Sequence, residues 1–396
     1  MKTIKLSMVI LSAFLITIGL IGYAEAYHDG GVARCTGCHS MHQSADNPLG
    51  PSGTPSAPLP VQSAIANGTL LKGTDASSTC LNCHKGSGSY KIYSTDGSNR
   101  KAGGDFFWVK TSYTYPGHGG SATSLGEEHG HNIVALDYGL IADSLSAAPG
   151  GTYLSSKLGC TSCHDAHGQV LGGTRAGQLP ISVSGSYDEE AAAGTIRGNY
   201  RLLGDSVYRA GNLVSDGYQF TNNAPIAKAN SSSAQYVDYG SGMSEWCRNC
   251  HAGYTGGTRH VAGNDEVLNG YGDNYNSYVK TGDFTGTIAT SYDQLVSFER
   301  GTDDWTELDP TSTAGPSAGA NVMCLTCHRA HASAHDNSGR WDFTEGLLEE
   351  SHSLISTTLT ETEKANAYYK GGSSIDIVTT YGEFQRQLCN KCHAQD

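Results

Sequence analysis

Cys160-Thr161-Ser162-Cys163-His164 sets two thiols and an imidazole at fixed spacing within five residues, and the pattern recurs five more times along the chain. The other copies are Cys35-Thr36-Gly37-Cys38-His39, Cys80-Leu81-Asn82-Cys83-His84, Cys247-Arg248-Asn249-Cys250-His251, Cys324-Leu325-Thr326-Cys327-His328 and Cys389-Asn390-Lys391-Cys392-His393. Together they consume all 12 cysteines of the 396 residues. C-x-x-C-H is the attachment pattern of c-type haem. Two thiols add to the two vinyl groups of one porphyrin, and the adjacent imidazole ligates the iron. A disulfide scaffold does not need a His after every second Cys. Paired zinc ribbons leave that His unexplained as well. The cofactor reading is six covalently bound haem c. The thioethers form at Cys35, Cys38, Cys80, Cys83, Cys160, Cys163, Cys247, Cys250, Cys324, Cys327, Cys389 and Cys392. The proximal iron ligands are His39, His84, His164, His251, His328 and His393.

The motifs follow no fixed period, which excludes a repeat solenoid. Glycine is abundant at 51 residues, and charged residues make up 16%, against roughly 25% in an ordinary soluble domain. Such a composition does not suit a regular helix bundle. Large apolar porphyrins supply core surface that the side chains lack. The expected fold is that of a multihaem c-type cytochrome, mostly coil with short helices wrapped around a haem chain and little sheet. Folding is expected to depend on haem insertion, as it depends on metal in other small-core proteins. Ser244 reads as the cap of a helix carrying Trp246 and Cys247. Ser291 with Gln294, and Thr360 with Glu363, read as capping boxes, the second opening a helix through Tyr368 and Tyr369. Asp96-Gly97 reads as a turn. The 22 tyrosines, apolar at one end and polar at the other, suit haem edges or ordinary packing equally.

Residues 1–26 read as a secretory signal peptide: Lys2 and Lys5, an apolar run from Leu6 to Ile21, then Ala24-Glu25-Ala26. The rival, a membrane anchor, is disfavoured because the run is short for a span of roughly 20 residues. Residues 27–396 read as a single hexahaem domain, exported, with no transmembrane span in the mature chain. A formal net charge of −13 argues against nucleic acid. Residues 27–47 form an N-terminal arm with the first haem motif. Residues 48–60 follow as a connector with Pro48, Pro51, Pro55, Pro58 and Pro60, extended and unfit for a central strand. An arm on such a tether either leans on a neighbouring molecule or is a surface loop.

What fills the sixth iron position decides between catalysis and electron transfer. Beyond the leader only Met41, Met243 and Met323 are available, too few for six irons. Ten of the 16 histidines remain: His28, His42, His118, His129, His131, His167, His260, His331, His335 and His352. Six bis-histidine sites are therefore possible. His42, His167 and His331 each follow a proximal His by three residues. So placed, each lies on the same side of its own ring and is expected to ligate a different haem. His335 stands four beyond His331 and is an alternative to it. His118, His129 and His352 carry only generic signals.

At this point the residues resemble a known family, the hexahaem outer-surface c-type cytochromes that form extracellular filaments. The similar pieces run nearly end to end. They include His28-Asp29-Gly30-Gly31-Val32-Ala33, Cys38-His39-Ser40-Met41-His42, Gly104-Asp105-Phe106 with Trp108-Val109-Lys110, and Gly130-His131-Asn132-Ile133-Val134-Ala135. Further on stand Cys163-His164-Asp165-Ala166-His167-Gly168, Met243-Ser244-Glu245-Trp246-Cys247, Arg259-His260, Cys327-His328-Arg329-Ala330-His331-Ala332-Ser333 and Leu388-Cys389-Asn390-Lys391-Cys392-His393-Ala394. The resemblance implies bis-histidine ligation throughout, with His28, His42, His131, His167, His260 and His331 as distal ligands. It implies that His42 crosses to a haem of the adjacent subunit, and that His118, His129, His335 and His352 have surface roles. The Pro-rich connector departs from the family pattern.

The function expected is extracellular electron transfer by a secreted protein at the outer cell surface, reached through the periplasm. Subunits join head-to-tail into conductive filaments, and electrons pass to metal oxides, electrodes or other c-type cytochromes. Two alternatives compete with it. A monomeric periplasmic carrier would stay single in solution, and its acidic surface would dock basic partners. A multihaem reductase would need one haem with an exchangeable axial site, whereas all six motifs end in His.

Overall fold

The computed structural model describes residues 35–39, 71–88, 91–164, 200–204, 206, 208–210, 218–229, 236–254, 262–370 and 373–394. The leader, the connector 48–60, and His28, His42, His167 and His260 lie outside the described residues.

Short helices carry the chemistry. Helices α1 (Cys35–Cys38), α2 (Ala76–His84), α3 (Cys160–Cys163), α4 (Met243–Cys247), α6 (Cys324–Cys327) and α9 (Asn390–His393) each hold all or part of one haem motif. A helical turn puts residues i and i+3 on one face, so in α2, α3 and α6, which hold both cysteines of a motif, the two thiols point the same way. Local caps fix these turns. Asp75 accepts from the Ser78 N–H at 2.7 Å to start α2. Ser162 and Thr326, third in their motifs, accept from the backbone N–H of Gly159 (2.9 Å) and Met323 (3.0 Å). Helices α5 (Gly270–Ser277), α7 (Glu361–Ala367) and α8 (Ile377–Tyr381) complete the set among the described residues.

Strands are subordinate. The described residues form four two-stranded antiparallel pairs: β1–β2 (Tyr113–Gly117, Gly120–Ser124), β3–β4 (Arg209–Ala210, Tyr218–Gln219), β5–β6 (Ile226–Ala229, Val237–Ser241) and β7–β8 (Tyr369–Lys370, Ser373–Ser374). A lone hairpin is marginal in water, so these pairs depend on the aromatic core behind them. Trp108, Trp341, Tyr113, Tyr275, Tyr278 and Tyr368 are fully buried there. The tyrosines keep their polar ends satisfied: Tyr113 donates to Ala334 O at 2.7 Å and Tyr275 to Val296 O at 2.7 Å. No helix among the described residues is long and apolar enough to cross a membrane.

Three local expectations need correction. Ser244 does not cap α4, because Gly242 occupies that position with φ +89°. Ser291 opens no helix. Its hydroxyl bonds Asn276 Oδ1 at 2.6 Å, and Asp293 accepts from Leu295 N–H at 2.9 Å, closing a turn instead. The Thr360–Glu363 box does form, but α7 stops at Ala367 and Tyr369 pairs with Ser374 across a hairpin. The Asp96-Gly97 turn is present, with Gly97 at φ +74°.

One junction positions ligand candidates. Ala332 bridges to Gly104 on one side and Gly130 on the other. A Cβ on Gly104, itself at φ +95°, would fall 1.8 Å from Ala332 O, and one on Gly130 2.3 Å from His331 O. Only glycine lets three backbones approach so closely. The junction holds His331 N–H on Gly103 O at 2.7 Å and His131 N–H on His331 O at 2.9 Å.

Candidate haem sites

Consecutive motifs are spatial neighbours. The Cys80 and Cys160 thiols lie within electrostatic range of each other, as do those of Cys247 and Cys324. Cys163 lies within electrostatic range of Cys250, and Cys327 of Cys389 and Cys392. The second to sixth motifs thus run through space in chain order. Burial pushes the thiols of Cys163, Cys327 and Cys392 up to about 12 and that of Cys250 to about 11.

The imidazoles fit haem iron on two counts. The first is spacing. The rings of His164 and His331 stand 6.3 Å apart, centre to centre, and those of His131 and His251 stand 5.9 Å apart. An imidazole nitrogen bonds a first-row metal at about 2.0–2.1 Å and lies about 1.1 Å from its ring centre, so two trans imidazoles on one metal place their centres about 6.3 Å apart. The second count is the other ring nitrogen. Nδ1 faces a backbone carbonyl in four cases: His131 to Ala330 O (2.7 Å), His164 to Arg201 O (2.7 Å), His251 to Pro149 O (2.9 Å) and His328 to Asn337 O (2.8 Å). A carbonyl only accepts, so Nδ1 carries the proton and Nε2 keeps its lone pair for a metal. Ligand histidines commonly show this arrangement. Burial lowers the pKa of His131 and His164. Burial, then the His164 and His131 imidazoles, push His331 down to about 3, so it stays in the neutral, ligating form.

Strained backbone aims two of those carbonyls. Arg201 and Leu202 adopt φ +53° and +52°, and Asn337 and Ser338 adopt +58° and +55°. Left-handed conformations on such residues are uncommon and cost free energy. Here they turn Arg201 O and Asn337 O onto His164 and His328. Sequence reasoning missed both loops: neither Arg nor Leu signals a left-handed turn, while the signal that Asn337 carries went unread.

The spare histidines divide sharply. His118 is exposed, as the surface expectation required. His129 and His335 are buried, at 0% and 2% exposure, and His352 is mostly buried, so the surface expectation fails for these three. Both nitrogens of His129 are engaged, Nε2 with Ser124 Oγ at 2.6 Å and Nδ1 with Trp108 O at 3.1 Å. His352 places Nε2 2.8 Å from Glu345 and Nδ1 3.3 Å from Asp342, and its ring stacks on Tyr115 at 3.6 Å. Neither has a nitrogen left for iron. His335, the alternative to His331, packs on Tyr368 at 4.8 Å, whereas His331 faces His164 and stacks on Phe106 at 4.8 Å.

Beside the fourth and fifth motifs sits a carboxyl that no sequence signal flagged. Glu299 is fully buried and accepts from Met243 N–H at 2.7 Å. Burial pushes its pKa from 4.5 up to about 8. The folded state therefore holds a proton that the unfolded chain has already released. The resulting stability is complete below pH 4.5 and is lost as pH rises through about 8. Glu299→Gln is expected to flatten that loss, which is of order a few kcal/mol between pH 5 and 9. Guanidinium unfolding at both pH values checks it, and an unchanged pH dependence in the variant would count against this account.

No protein-family model matches the chain. Over an alignment of 451 positions, covering 100% of both sequences, it is 39% identical to C-type cytochrome OmcS of Geobacter sulfurreducens. Among solved structures it resembles the OmcS nanowires from that organism, determined by cryo-EM, with TM-score 0.75 and 38% identity over 93% of this chain and 100% of the other. It also resembles the outer membrane cytochrome S filament of Geobacter sulfurreducens, with TM-score 0.70 and 37% identity over the same shares.

Proposed function

The chain belongs to the OmcS family of c-type cytochromes, and from that premise we propose that it is a hexahaem electron conduit whose subunits polymerise head-to-tail into extracellular filaments. The observation that carries this reading is the pairing of imidazoles at one-metal spacing. Bound there, haem supplies reversible one-electron iron chemistry and, with imidazole on both axial faces, leaves no open coordination site for a substrate. The chain's own part is to hold, orient and exclude water. The cysteine pairs hold each ring covalently. His39, His84, His164, His251, His328 and His393 serve as proximal ligands. The distal set is His28, His42, His131, His167, His260 and His331. The pairs supported by geometry are His331 with His164 and His131 with His251. Carbonyls of Ala330, Arg201, Pro149 and Asn337 fix ring orientation. With no site left for bond making, the protein is read as a carrier and not an enzyme.

Residues 27–396 act as one exported hexahaem domain once the signal peptide 1–26 is removed. His42, on the arm before the Pro-rich connector, ligates a haem of the next subunit. Such a contact is heterologous and does not close on itself, so it propagates as a filament. The iron–His bond makes each junction mechanical and electronic at once. Electrons leave to acceptors outside the cell, such as metal oxides, electrodes or other c-type cytochromes. His42→Ala is expected to abolish filaments in negative-stain micrographs while intact-mass analysis still counts six haems per chain. Normal filaments from that variant would overturn the junction.

A further inference from the structure

Two parts of the molecule far apart in sequence are built alike. In the first, the Ser77 hydroxyl, three residues before Cys80, accepts from the backbone N–H of Cys160 at 3.0 Å. In the second, the Ser244 hydroxyl, three residues before Cys247, accepts from the N–H of Cys324 at 3.0 Å. Both serines are buried, at 2% and 0% exposure. In each case the first thiols of the two motifs lie within electrostatic range of each other. The likeness extends outward. His164 and His328 both give Nδ1 to the carbonyl of a left-handed residue, Arg201 or Asn337. The backbone then returns two and three residues later: His164 bridges Leu203 and His328 bridges Gly339, while Gly204 N–H reaches Cys163 O at 2.9 Å and Arg340 N–H reaches Cys327 O at 2.7 Å.

We infer that Ser77 and Ser244 are positioning residues, each clasping two consecutive haem motifs into a fixed pair, the second with the third and the fourth with the fifth. The inference rests on the haem reading above and adds to it the part that sets geometry between sites. A helical turn by itself orients one motif. It says nothing about the angle to the next. A buried hydroxyl that spans two motifs removes that freedom, because its loss would leave a partly buried N–H without its acceptor. The motif order then resolves into two like units, each with one clasp and one left-handed loop. At Gly159 the approach is so close that a Cβ would lie 2.6 Å from Ser77 Oγ.

The test uses the full haem-loaded chain and reads the circular dichroism couplet of the Soret band, which reports the mutual angle of neighbouring haems and not their number. Ser77→Ala and Ser244→Ala are expected to keep six haems by intact mass and a low-spin spectrum, yet to lose couplet amplitude, with a larger loss in the double variant. Ser351→Ala removes an equally buried hydroxyl that bonds Leu348 O and Tyr368. It is expected to lower stability and leave the couplet unchanged. A double variant whose couplet superimposes on the parent overturns the clasp. If the alanine variants load fewer than six haems, Ser77→Thr and Ser244→Thr decide. Recovery of six haems and of the couplet supports the clasp, and failure to recover either overturns it. A parent chain carrying fewer than six haems would instead refute the haem reading itself.

Discussion

His331→Ala leaves six haems attached but turns one of the six irons high-spin, and that one alone gains the ability to bind carbon monoxide when reduced. On the proposed pairing the affected haem is the one held by Cys160 and Cys163, because the His331 ring stands 6.3 Å from His164. Removing an axial imidazole exposes a coordination site without touching the thioethers. By contrast, His129→Ala and His352→Ala are expected to leave every iron low-spin, since both nitrogens of each ring are already engaged within the protein. Electron paramagnetic resonance with a carbon monoxide titration checks all three variants. An entirely low-spin, carbon monoxide-inert His331→Ala protein would remove the pairing on which the conduit rests.

Asp293→Asn is expected to destabilise the fold by about 3–5 kcal/mol, the usual cost of stripping a buried charge of its partner. Asp293 is 5% exposed and accepts from Lys370 Nζ at 3.1 Å, Tyr381 OH at 2.8 Å and Leu295 N–H at 2.9 Å. It also faces Lys391, which sits inside the sixth motif, 4% exposed, its Nζ 3.1 Å from Tyr278 O and 4.3 Å from the centre of the Tyr275 ring. Burial opposes ionisation of Asp293, but Lys370 and Lys391 outweigh it and hold the carboxyl below its ordinary value. A depressed carboxylate contributes stability that is present above its unfolded value of 3.8 and is lost as pH falls through the folded one. The variant and parent curves are therefore expected to differ at neutral pH and to converge in acid. Guanidinium unfolding followed by far-UV circular dichroism measures this. A difference below about 1 kcal/mol at pH 7 would show that the ion cluster contributes little net stability.

The cofactor chemistry was legible from residue order because each C-x-x-C-H unit completes its donor set within five contiguous residues. The coil-rich, sheet-poor architecture followed from the same count together with the glycine content, since such short helices need only one turn apiece. Local capping rules fared unevenly. They placed the start of α7 but missed its end, where Tyr369 is drawn into a hairpin, and they misread Ser291, whose hydroxyl is taken by Asn276.

By itself the amino-acid order determined how many porphyrins can be attached and pointed to the side chains proposed to bond them, since those contacts are local. Only the tertiary structure decided which imidazoles from remote segments stand face to face, that His129 and His335 are buried, and that Ser244 spans two motifs and caps none. The physical reason is distance along the chain: the Ala332 junction and the two serine clasps join backbones from remote segments, and no periodicity or spacing encodes such an encounter.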